Sequence, residues 1–295
     1  MLTFLSALVT VGLAAGQAVP VHPKTFWRAV AEAKFEVPAG QTAATLTPEL
    51  TAALGSPDPE LRDDLAFATL SNWIYRRRLL TPDDLRPMVR TLQDNLRSGI
   101  GETGTDAVLL RSFSALTLSV IAARDNEEPF LTADEYSRLL DSAISYFHDE
   151  RDTRGFDADK GWMHSVAHTS DLLKFLARNT RLPVAGQARL LSAILLKTHD
   201  TPAVFAEGED ERMARVVISV VRRSDFDRAP FRQWLGAAAT AAAFPKTPDS
   251  ATLRAQQNVR HLLTSLWTEL SVDERPSEGA DFAKSALRDM LKGLF

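Results

Sequence analysis

From Glu60 onward, apolar side chains return every three or four positions in one stretch after another, which is the period of amphipathic helices. Runs of strict alternation are scarce. Three long stretches read this way: "ELRDDLAFATLSNWIYRRR", "DAVLLRSFSALTLSVIAAR" and "GWMHSVAHTSDLLKFLARN". Each is followed by a second helix: "LTPDDLRPMVRTLQDNL", "LTADEYSRLLDSAISYF" and "RLPVAGQARLLSAILL". The first two share one start. Thr81 and Thr132 stand as N-caps, with Asp83 and Asp84, or Asp134 and Glu135, in the first turn where the helix dipole favours acids.

Leu80, Leu131 and Leu182 open the three second helices at a constant spacing of 51 residues. A fourth, less regular unit fits "DERMARVVISVVRRSDFDRAPFRQWLGAAATAAAF". A helix pair that repeats at fixed length buries its apolar face by stacking on the next pair. The expected fold class is therefore all-α, an α-solenoid of stacked helix pairs with a HEAT-like superhelix. An irregular helical bundle is the competing architecture. The expected organisation is a leader at residues 1–18, a Pro- and Thr-containing lead-in segment at 19–57, and the helical repeat-like domain at 58–295.

Composition narrows the classes of function. With 295 residues, 45% hydrophobic and 24% charged, the chain can bury a sizeable core. A net charge of −4 without basic runs disfavours nucleic acid as a partner. Residues 1–18, "MLTFLSALVTVGLAAGQA", are uncharged, apolar and end in small residues, which reads as a secretory signal cut near Ala18 although no basic n-region precedes it. The expected location is periplasmic or secreted, with no membrane contact beyond that leader. The lesser reading is an uncleaved anchor. The absence of cysteine removes structural disulfides, thiolate nucleophiles and Cys-ligated zinc.

The polar residues gather in one place. On a helix at about 100° per residue, His164, His168 and Asp171 fall on one stripe. H-x-x-x-H spacing suits a divalent cation with imidazole ligands, and Asp171 reads as a third ligand or as the group that orients His168. Ser165 stands where a zincin helix needs glutamate, so that class is excluded. One repeat of offset brings "RSFS", with Arg111 and Ser114, from the preceding unit, and "FAEGEDERMA", with Glu207, Glu211 and Arg212, from the following one. Glu207 and Glu211 are metal candidates or ordinary helix-start acids. Arg154 and Lys160 read as an anion clamp or as partners of local acids, and Trp162 as a pocket wall.

"RGFDADKGWMHSVAHTSDLL", with "LLRSFSAL" upstream and "FAEGEDERMA" downstream, resembles the bacterial domain of unknown function family 2785 over roughly Leu61 to Phe244. The resemblance implies a helical, repeat-like domain with these polar motifs as hallmarks and brings no activity with it. Two functions fit. A binding module grips a peptide, glycan or protein on a concave helical surface, with the His/Asp/Glu/Arg pocket as its recognition patch. The alternative is a metal-dependent hydrolase in which His164, His168 and an acidic partner hold Zn²⁺, Mn²⁺ or Fe²⁺ and activate water. If the cluster is a ligand site, replacing His168 by Ala should leave stability within about 1 kcal/mol of the parent.

Overall fold

In a computed structural model that describes residues 22–293, helices follow one another from α1 (Lys24–Glu32) and α2 (Ala43–Ala53) to the C-terminus. The leader expected at 1–18 lies outside the described residues. Helix α3 runs in three parts, π-helical over Glu60–Phe67, α-helical over Ala68–Ser71 and π-helical again over Asn72–Arg76. Then come α4 (Pro82–Asn95), α5 (Ala107–Glu127) and α6 (Ala133–Asp149). A two-residue antiparallel pair, β1 (Phe156–Asp157) and β2 (Gly161–Trp162), precedes α7 (Ser165–Arg178) and α8 (Val184–His199). The chain continues through α9 (Glu209–Val221), α10 (Arg228–Ala242), α11 (Ser250–Val272) and α12 (Glu278–Leu291). The protein is all-α, as its periodicity predicts.

Alternate helices are neighbours. Helix α5 packs on α7, α7 on α9 and α9 on α11, while α6 packs on α8 and α8 on α10. Helix α5 is long and apolar enough to cross a membrane, but 78% of that apolar window is buried, and α3, α4 and α7 pack against it. Core packing accounts for its composition. Thr81 and Thr132 form reciprocal capping boxes with Asp84 and Glu135. The third copy has Pro183 at the cap with no side-chain bond to the helix. Leu80, Leu131 and Leu182 are all buried, so the repeated leucine serves packing in each unit even where the cap is lost.

Two features depart from expectation. The lead-in segment assigned to 19–57 contains α1 and α2, and its Trp27, Leu46, Leu50 and Leu54 belong to the same apolar core as Leu65, Trp73 and Ile74. Glu49 ties the segment together, accepting from Trp27 Nε1 at 2.9 Å and from the His22 backbone N–H at 2.7 Å. In packing, residue 58 is therefore no boundary. The third long helix, expected from Gly161, starts only at Ser165, because residues 156–162 form the hairpin instead.

Candidate functional site

The hairpin is built by its own turn and held by a residue from far upstream. Asp157 Oδ1 accepts from the backbone N–H groups of Asp159 and Lys160, both at 2.9 Å, and Gly161 takes φ 72°, a left-handed value that glycine adopts freely. Phe156 and Trp162 face each other in register, their ring centroids 4.9 Å apart edge to face. Both rings stay accessible, at 54% and 41%. Arg62 of α3, fully buried, donates through Nη2 to the carbonyls of Lys160 (2.7 Å) and Trp162 (3.3 Å), and its guanidinium lies 4.7 Å from the Phe113 ring centre.

His164 follows directly. It lies outside the helix, in the left-handed region at φ 46°, ψ 35°, so the single helical stripe expected for His164, His168 and Asp171 does not exist. The side chain nevertheless reaches His168, with ring centroids 5.7 Å apart. The His164 ring stacks on Trp162 at 4.3 Å, and its Nε2–H donates to the Glu207 carbonyl at 3.0 Å. A carbonyl only accepts, so in the neutral ring the proton sits on Nε2 and Nδ1 is an acceptor. Glu209, almost wholly buried, has its carboxylate 3.8 Å from the same Nε2.

His168 has the complementary tautomer. The Ser112 hydroxyl donates to the Met163 carbonyl, so at 2.8 Å its oxygen accepts from His168 Nδ1–H, and Nε2 is left as the acceptor. The ring also packs edge-on against Phe113 at 4.9 Å. Burial pushes His164 below its ordinary 6.5 and pushes His168 well below it, and for His168 the nearby His164, Arg212 and Arg62 act in the same direction. Both rings are neutral at pH 7. Asp171, one turn further along α7, is bound by Lys174 Nζ at 2.6 Å and by Arg212.

His164, His168, Asp171, Arg212 and Trp162 thus converge, with Glu207 joining through its backbone. Other expected members are elsewhere. Arg111 is buried and bonded twice to Glu150, at 2.6 and 3.0 Å, with the carbonyls of Ser98 and Gly99 beside it. Ser114 accepts from Asn95 at 3.1 Å. Arg154 is clasped by Asp152, and Lys160 by Asp106 at 2.5 Å. Glu211 is largely exposed and lies 3.7 Å from Arg215, one helical turn away. Among the described residues, no three His, Asp or Glu side chains are placed to hold a metal ion. The geometry gives the reason: the oxygens of Asp171 go to cations, and the Glu207 carboxyl lies against Gly155 and Glu209.

Ser112 and Glu209, which lie within the two flanking motifs, join the patch as expected members of them, whereas Arg62 was not among the expected residues. A signal for it exists in the repeat, since Arg62 precedes Phe113 by the same 51 residues that separate Phe113 from His164. Fold and patch together define an all-α protein with two largely buried neutral imidazoles beside exposed aromatic rings. The chain belongs to the family described as "Protein of unknown function (DUF2785)", which matches residues 96–268. That match begins later than the expected Leu61 and extends past Phe244, so Arg62 lies outside it. No curated protein and no solved structure matches the chain.

Proposed function

We propose that this is an exported α-solenoid protein of HEAT-like helix pairs and that the patch around His164 and Trp162 is a binding site for a peptide, glycan or protein segment. The neighbour-on-neighbour order of α5, α7, α9 and α11 supports the solenoid reading. One observation carries the binding reading: each imidazole has one nitrogen fixed by an internal acceptor, which leaves His164 Nδ1 and His168 Nε2 as acceptors beside the accessible rings of Trp162 and Phe156. Neutral acceptors next to an aromatic face suit ligands that carry hydroxyl or amide donors on an apolar frame. The metal-dependent hydrolase, with His164, His168 and an acid as ligands, requires Asp171 or Glu207 to leave its present partners.

Thermal melts of the parent and of Trp162→Ala, each with a panel of oligosaccharides and short peptides, test this. A ligand that stabilises the parent and leaves the variant unmoved is the expected result. Stabilisation by Zn²⁺ or Mn²⁺ that vanishes in His168→Ala would instead favour the hydrolase. For export, the native protein should begin near Val19, and a native N-terminus at Met1 would overturn that part of the proposal.

A further inference from the structure

We propose a second, separate site: a cleft of about 800 Å³ that binds an oxyanion, either a phosphate or a carboxylate group. It opens where three alternate inter-helix loops meet the start of α11, and it is lined by Thr103, Thr153 and Thr201 together with Arg151, Arg154 and Arg254. The threonines repeat along the chain. Each follows an acid, in Glu102-Thr103, Asp152-Thr153 and Asp200-Thr201, in the loops after α4, α6 and α8.

Two of the three guanidinium groups of this cleft are unspent: among the described residues Arg151 and Arg254 form no ion pair, whereas Arg154 is held by Asp152 and by the Thr105 carbonyl. Arg254 Nε is a buried N–H without a hydrogen-bond partner, closed to solvent, so any contact with a ligand falls to the outer nitrogens of that side chain. Thr201 donates to Thr153 Oγ1 at 3.3 Å, which leaves the Thr153 hydroxyl proton free to donate outward. The lining acids are already engaged: Asp152 by Arg154 at 2.5 Å, and Asp200 by His199 at 3.0 Å. Three guanidinium groups against two carboxylates leave a positive excess in a protein whose net charge is −4. Planar guanidinium forks with neighbouring hydroxyls are the donor set that oxyanions take.

The test is a thermal-shift titration of the full chain with sodium phosphate and sodium acetate, against sodium chloride at equal ionic strength. We expect a saturable rise with an oxyanion, with the half-saturating concentration at least tenfold higher in Arg151→Gln and Arg254→Gln and unchanged in Arg76→Gln, an exposed arginine far along the chain. Preference for phosphate or for acetate then identifies the group. Arg151 is exposed, so its variant carries the test even if Arg254→Gln fails to fold. An equal response to chloride, or a response kept by both variants, overturns the site. Trp162→Ala should leave the oxyanion response intact, and its loss there would overturn the separation from the imidazole patch.

Discussion

Acid acts against the two imidazoles of the patch. Their folded pKa values lie below the ordinary 6.5, so as pH falls through 6.5 the unfolded chain takes up protons that the folded protein resists. The stability they contribute is complete above 6.5 and drains as pH falls toward the folded values. Asp63 works in the opposite sense, because burial pushes its carboxyl up to about 6 and the folded state then takes the proton first. Denaturant unfolding at about pH 7.5 and about pH 5.5 separates them: His168→Gln should lose less stability on acidification than the parent. Equal losses would remove His168 from the pH dependence. Replacement by Ala is a different matter. His168 is buried against Phe113 and bonded to Ser112, so His168→Ala should lower apo stability by about 1–3 kcal/mol, more than a free ligand site requires. A loss under about 1 kcal/mol would mean that the contacts with Phe113 and Ser112 contribute little. His164 and His168 do meet, but not on the helical face that their spacing predicts, since His164 precedes α7 in a left-handed conformation; the direction of Arg111 was not legible either. Its neighbour Ser112 reaches Met163 while Arg111 turns to Glu150, and a helix buried nearly all round shows no polar face in its sequence from which to read the phase.

At the scale of elements, helix starts were the clearest signal and short strands the weakest. Thr132 caps α6 in a reciprocal box, so Thr132→Ala should cost about 1 kcal/mol. Pro183→Ala should cost much less, because no side-chain bond is lost there. Midpoints of urea unfolding compare the two, and an equal loss would show that the repeated position is held by Leu131 and Leu182 rather than by the caps. The hairpin escaped the sequence because two-residue strands are too short to show a period of two. Helix α2 escaped because Pro48 lies within it in a stretch of Ala and Thr, which reads as a break.

Across the whole molecule, the 51-residue spacing was the most informative feature, since Ser112 meets Met163 over that interval. The N-terminal limit of the core was not legible. Trp27, Leu46 and Leu50 join the cluster that contains Trp73, so a chain lacking residues 22–57 should melt well below the parent or fail to remain soluble. An unchanged melting temperature would show that α3 onward folds independently. The bonds from Arg62 to the hairpin carry a consequence of another kind. They join positions 98 and 100 residues apart, and contacts so distant in sequence form after local helices because the intervening chain must first be closed. Synthesis delivers α3 early, with Arg62 able to reach the Ser56 carbonyl and Asp63, but its Nη2 lacks the carbonyls of Lys160 and Trp162 until the hairpin emerges. The aromatic patch is then among the last surfaces to take shape, and Trp162 becomes a clock for the end of folding: the part of the stopped-flow refolding fluorescence that Trp162→Phe removes should settle after the far-ultraviolet signal, and the lag should lengthen in Arg62→Lys.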